Sequence, residues 1–249
     1  MLEVIRERWR QGYRTSRFPR EEPVLPARFR GLAEIRGTCP AACHACETNC
    51  RAGACRRDGD QPIIDLGRCL FCADCSACSN GLISFSNDYR LASRQRTDLY
   101  LSGQGFTPTG PLAPDLQKLF RRSFKLRQVS AGGCNACEAD CNVLSTLVFD
   151  LGRFGIQFVA SPRHADGILV TGPVSENMRT ALLDTYEAVP APKVVIATGA
   201  CAIAGGPFTG SPEVCNGVDT LLPVDLYIPG CPPHPYTILD GLLRLLDRR

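Results

Sequence analysis

The chain has 249 residues, 15 of them cysteine, with 44% apolar residues and a formal net charge of +3. That length and apolar content suit one large or two modest globular domains, exclude general disorder, and offer no basic excess that would make nucleic acid the expected partner. No apolar run approaches the roughly 18–20 residues of a membrane span, and residues 1–17 show no apolar core of a signal peptide.

Residues 1–37 read as an N-terminal arm. Leu2, Ile5, Trp9 and Tyr13 form a short amphipathic pattern, followed by a proline-rich stretch from Pro19 to Pro26 that cannot continue a helix. Eight arginines stand against four glutamates in residues 1–30, and Lys118, Arg121, Arg122, Lys125 and Arg127 form a second basic cluster. Both are read as solvated or partner-facing surface, with contact to a membrane surface as the weaker alternative.

Residues 38–92 hold nine cysteines and little hydrophobic periodicity, so metal is expected to replace the core there. An odd cysteine count without an export signal argues for metal or redox chemistry rather than a disulfide scaffold. The first run is Cys39-x3-Cys43-x2-Cys46-x3-Cys50, with Cys55 beyond it, and the second is Cys69-x2-Cys72-x2-Cys75-x2-Cys78. A bacterial two-cluster ferredoxin repeats C-x2-C-x2-C-x3-C-P, the fourth cysteine of each run ligating the other cluster. Here the first run is one residue longer, the second one shorter, and Arg51 and Ser79 stand in place of the prolines. Crossed ligation assigns Cys39, Cys43, Cys46 and Cys78 to one [4Fe–4S] cluster, and Cys69, Cys72, Cys75 and Cys50 to the other. Cys55 is able to substitute for Cys50.

Residues 93–127 form a glycine- and proline-rich connector. From 128 to 249, short buried strands (Ile156–Val159, Gly167–Val170, Lys193–Ile196, Val224–Ile228) alternate with helices over Glu176–Ala188 and Tyr236–Leu246. That alternation predicts a doubly wound parallel sheet. Cys134 and Cys137 follow a first strand near Lys125–Ser130, Cys201 follows the strand ending near Thr198, and Cys231 follows the one ending at Ile228. All four therefore fall just past the C-terminal ends of strands, where open α/β sheets gather ligands. Four thiolates from three loops suit a [4Fe–4S] cluster or a four-cysteine zinc site, and only one close Cys-x-x-Cys pair disfavours zinc. Cys141 and Cys215 are read as buried structural thiols.

Four motifs in this half carry a family resemblance. Cys134-Asn135-Ala136-Cys137-Glu138, Ser161-Pro162-Arg163-His164-Ala165-Asp166, Gly199-Ala200-Cys201 with Gly205-Gly206, and Pro223 to Pro233 resemble the small subunit of membrane-associated [NiFe]-hydrogenases. That family includes formate hydrogenlyase and the homologous cluster-bearing subunit of respiratory complex I. Complex I subunits carry adjacent cysteines at the first motif, whereas two residues separate Cys134 from Cys137, as in hydrogenases; Ala136 stands where the family usually has glycine. The resemblance implies that Cys134, Cys137, Cys201 and Cys231 bind the proximal cluster beside a large-subunit active site. It also implies that Glu138 and His164 lie at that interface, Glu138 as a proton carrier or an exposed carboxylate, His164 as an oriented or merely satisfied histidine. Gly67-Arg68-Cys69 and Ile83 to Ala92 resemble the ferredoxin-like subunit of the same complexes.

The expected architecture is a doubly wound, flavodoxin-like parallel sheet preceded by a small ferredoxin-like iron–sulfur domain. The expected function is an electron-transfer subunit with three [4Fe–4S] clusters, lacking a substrate site of its own. Its expected partners are a hydrogenase-like large subunit, ferredoxin or another redox subunit, and membrane subunits of the complex, with no nucleic acid. The expected location is peripheral, on the cytoplasmic face of the inner membrane. The rivals are a complex I-like module with a nickel-free partner, and a zinc-stapled scaffold or nucleic-acid-binding module.

Overall fold

The computed structural model describes residues 2–39, 43–79, 81–103 and 105–249, and of Cys78 the backbone only. In chain order the strands are β1 (Ala33–Ile35), β2 (Cys55–Asp58), β3 (Gln61–Asp65), β4 (Ile83–Phe85), β5 (Tyr100–Leu101), β6 (Phe124–Ser130), β7 (Ile156–Phe158), β8 (Gly167–Thr171), β9 (Val194–Thr198) and β10 (Leu226–Ile228). The helices are α1 (Leu2–Gln11), α2 (Ala45–Asn49), α3 (Asp74–Cys78), α4 (Pro114–Phe120), α5 (Ala136–Val143), α6 (Glu176–Ala188), α7 (Ala200–Ala204) and α8 (Pro235–Leu245).

The C-terminal half is a five-stranded sheet in the order β7-β6-β8-β9-β10, with every neighbouring pair parallel. Counted within this half, that order is 2-1-3-4-5, the flavodoxin-like winding. Period-2 alternation explains how both faces are buried. Ile168, Val170, Val195, Ala197 and Tyr227 point to one face, with Leu182 of α6 and Ala202 and Ile203 of α7. Leu169, Val194, Ile196, Leu226 and Ile228 point to the other, with Cys141 of α5 and the buried side of α8. The predicted helix Glu176–Ala188 has those bounds, while the last strand starts two residues later than expected, at Leu226.

The N-terminal half folds into two small antiparallel sheets, β1 with β4 and β2-β3-β5. Against the expectation that metal replaces the core there, this half has buried apolar side chains of its own. Ala33, Ile64, Leu66, Ile83, Leu99 and Leu101 are buried in the same cluster as the α6/α7 face of the large sheet. The connector contributes structure as well. β5 pairs with β3, and Leu99 and Leu101 enter the core, which a glycine-based reading of that stretch did not anticipate. Beyond α1, the arm is pinned to the C-terminal half. Arg153 donates to the Ser16 and Phe18 carbonyls, and Phe18 is buried among Tyr89, Phe124 and α8 residues.

Candidate metal centres

The four thiols of the C-terminal half come from three strand ends along one sheet edge. β6 ends at Ser130 and leads into Cys134 and into Cys137 on α5; β9 leads into Cys201 on α7; β10 leads into Cys231. Electrostatic coupling links Cys137 to Cys201 and Cys231, Cys201 to Cys231 and Cys134, and Cys231 to Cys134, so the four form one group. Cys134 and Cys231 are exposed and Cys137 and Cys201 half-buried, leaving the group open on one side.

The backbone makes room for these sulfurs. A Cβ on Gly199, whose φ is +91°, would sit 2.6 Å from the Cys137 Sγ, and one on Gly206 would sit 2.6 Å from the Cys201 Sγ. Neither approach is sterically tolerable, so the loops take glycine to let thiols stand against bare backbone. Burial first, and neighbouring thiols second, push Cys201 up to about 11 and hold Cys137 well above the ordinary thiol value. Such thiols keep their protons until a cationic centre displaces them. Among the described residues, no three His, Cys, Asp or Glu groups stand close enough to hold a single metal ion. Four soft thiol donors from three loops, set against bare glycine backbone, fit an iron–sulfur cluster by their donor chemistry.

Glu138, in the first turn of α5, is only 5% exposed. Its Oε1 accepts hydrogen bonds from Ser130 Oγ and Thr171 Oγ1, both at 2.6 Å. Burial works against its carboxylate, but the two hydroxyls outweigh that and keep its pKa below the ordinary value. The exposed-carboxylate alternative is thereby corrected: the strand partners draw the side chain inward. His164 is exposed in the 3-10 turn Pro162–His164. Cys141 is fully buried, as expected. Cys215 is not; it is half-exposed and donates to Glu176 Oε1 at 3.2 Å, because its loop lies over the start of α6.

In the N-terminal half, Cys50, Cys69, Cys72 and Cys75 line one cavity of about 240 Å³, with Ile64, Leu70 and Phe85, and Cys55 shares it. Cys39, Cys43 and Cys46 line a second, much smaller cavity, again with Cys55. The expected fourth member, Cys78, ends α3, and its side chain lies outside the described residues. Cys55 stands between the two groups. It hydrogen-bonds first to Cys50 and then to Cys75, which raises its own pKa far above the ordinary value, pulls Cys50 down to about 5 and lowers Cys75. Spacing alone did not foresee that Cys55 faces both groups.

A cleft of about 440 Å³ joins the two halves, with Leu70 and Phe71 on one side and Cys231, Pro232 and His234 on the other. Arg28, Arg30 and Asp140 also line it. Arg30 Nη1 donates to the Phe71 carbonyl at 3.0 Å, and His234 Nδ1 accepts from the Tyr236 amide at the start of α8. His234 carried a usable sequence signal, a polar residue before a proline-led helix. The arginines carried none.

Fold and thiol group together define the class: an α/β subunit carrying a four-thiol centre on the C-terminal edge of a flavodoxin-like sheet. The chain belongs to the family of the NADH ubiquinone oxidoreductase 20 Kd subunit, whose pattern matches residues 134–245. It is 42% identical over 133 residues to a probable membrane-bound hydrogenase subunit of Pyrococcus furiosus, covering 53% of this chain and 80% of that protein. It is 44% identical to formate hydrogenlyase subunit 7 of Escherichia coli over 54% of either chain, so it spans about half of that relative. It is also 47% identical to a NADH-quinone oxidoreductase subunit of Citrifermentans bemidjiense, covering 47% of this chain and 68% of that one. The protein is accordingly a subunit of an oxidoreductase.

Proposed function

We propose that this chain is the electron-transfer subunit of a membrane-bound hydrogenase-type complex and holds three [4Fe–4S] clusters. The observation that carries the reading is the group Cys134, Cys137, Cys201 and Cys231, gathered from three strand ends against glycine backbone. Cys69, Cys72, Cys75 and Cys50 would hold a second cluster, and Cys39, Cys43, Cys46 and Cys78 a third, within a ferredoxin-like domain spanning residues 38–92. Bound there, the clusters would supply one-electron carriers between a large-subunit active site and a redox partner.

The chain's own residues then have defined tasks. The thiolates would neutralise and fix the iron, the glycines leave room for it, and Ile64, Leu70 and Phe85 would keep water from the interior of the N-terminal group. Glu138 holds a negative charge behind the Cys134–Cys137 loop, which favours the more oxidised state of whatever binds there. A large subunit would cover the open side of the four-thiol group, and membrane subunits would complete a peripheral assembly on the cytoplasmic face.

One rival reading has support in the 47% identity to a NADH-quinone oxidoreductase subunit: a complex I-like module whose partner lacks nickel. The Cys134-x2-Cys137 spacing favours the hydrogenase reading, and the partner's own nickel-ligating cysteines decide between them. The founding test is metal analysis of anaerobically purified protein. About 12 irons per chain are expected. Two or three tightly bound zinc ions with little iron would overturn the reading in favour of a zinc scaffold.

A further inference from the structure

Helix α1 has no buried residue. Leu2, Ile5 and Trp9 are 83%, 52% and 87% exposed. At 100° per residue these three fall on one stripe, and Val4 alone of the helix's large apolar residues falls outside it. Arg6 and Arg10 border the stripe on one side and Arg8 on the other, while Glu3 and Glu7 stand further round. Tyr13, 88% exposed, follows the helix end; Arg8 donates to the Gly12 carbonyl at 2.7 Å and its guanidinium lies 4.5 Å from the Tyr13 ring centroid. Arg10 also pairs with Glu7 at 3.3 Å, so one bordering cation is partly neutralised. An exposed apolar stripe edged by three arginines still has the layout of a helix lying in a bilayer interface. Its apolar side chains enter the acyl boundary and its arginines reach lipid phosphates.

We infer that α1 is an interfacial membrane contact that docks on an anionic lipid surface. A protein groove would have to match a stripe bordered by cations on both sides, whereas a lipid surface supplies phosphates all round. The apolar stripe is short, so the arginines and the lipid charge must contribute together. This contact is separate from the cysteine groups and stands whether or not the cluster assignment does.

Trp9 is the single tryptophan of the chain, so its fluorescence reports on α1 alone. The anaerobically purified protein is mixed with phosphatidylcholine vesicles, with or without phosphatidylglycerol. The expected result is a blue shift of Trp9 emission and quenching by brominated acyl chains only when phosphatidylglycerol is present. Replacing Arg6→Gln and Arg10→Gln together should weaken binding by about 30-fold, with iron content unchanged. Ile5→Ser should remove the shift. No shift with anionic vesicles, or an equal shift with neutral ones, overturns the inference. A blue shift on concentrating the protein without lipid, or a shielded Trp9 in the assembled complex stripped of lipid, overturns it too, by assigning the stripe to a second copy or to a protein partner.

Discussion

At the scale of single residues, missing side chains shape the site as much as thiols do. Gly199→Ala would push a methyl group to 2.6 Å from the Cys137 sulfur, at a φ of +91° that alanine rarely adopts. The variant should lose about four irons per chain, with the N-terminal eight retained, and iron analysis checks this. Asp240 gives a prediction of a different kind. It is 1% exposed, and accepts from Arg244 Nε at 2.7 Å. Burial pushes its carboxyl from 3.8 up to about 6, against the pull of Arg249 and Arg90. A raised carboxyl pKa means the folded chain binds the proton more tightly than the unfolded one. That stabilisation is present below about pH 3.8 and lost as pH rises through about 6. Asp240→Asn stays neutral and should gain on the wild type as pH rises, by up to about 3 kcal/mol over the whole window. Melting temperatures of both proteins between pH 5 and 7 test this; a constant difference would mean that the arginines keep Asp240 ionised throughout. The thiols at strand ends were legible in the sequence, because glycine next to cysteine after an apolar run is a local signal. The burial of Glu138 was not, since Ser130 and Thr171 come from neighbouring strands and meet it only in the folded sheet.

At the scale of elements, the large sheet was legible because β8, β9 and β10 are buried on both faces and read as short, largely apolar runs. The small sheets were not. β1 pairs with β4 across a gap containing both cysteine runs, and β3 pairs with β5 from the connector, so no local periodicity announced either. What locks β3 to the turn before β5 is an ion pair: Arg96 Nη1 and Nη2 donate to Asp65 at 2.8 and 2.6 Å, with Asp65 1% exposed. Among the described residues, Arg96→Met leaves that carboxylate with the Gly67 amide as its remaining donor. The single variant should melt roughly 5–10 °C lower. Adding Asp65→Asn should recover part of the loss, because an unpaired buried charge costs more than an unpaired amide. No recovery in the double variant would show that Arg96 acts by packing alone. The softest ligand pair also belongs here, since Cys50 closes α2 and Cys55 opens β2. In the proposed assignment Cys55→Ser keeps all cluster signals by electron paramagnetic resonance and Cys50→Ser loses one; the reverse pattern would make Cys55 the ligand.

At the scale of the whole molecule, the two halves should fail differently. Cys137→Ser replaces a thiolate with a weak hydroxyl donor at the open group. It should abolish turnover with every acceptor in the assembled complex and loosen the large subunit. Cys72→Ser should leave the complex assembled and some dye-linked hydrogen oxidation intact, while activity with the native redox partner fails. Equal loss of both activities in Cys72→Ser, with the complex still assembled, would mean that the centres are not arranged with the Cys134–Cys231 group nearest the active site and the N-terminal pair towards the redox partner. The join between the halves has a kinetic corollary. Gly67, two residues before Cys69, packs so tightly on Ile203, two residues after Cys201, that a Cβ there would lie 2.7 Å from the isoleucine methyl. Two thiol-bearing segments that would meet by collision if they were separate proteins are instead held at a fixed, concentration-independent encounter. If both halves carry the proposed clusters, exchange between them is a first-order event: diluting the protein a thousandfold should leave its rate constant unchanged, and an excess of a free two-cluster ferredoxin should not compete for the position.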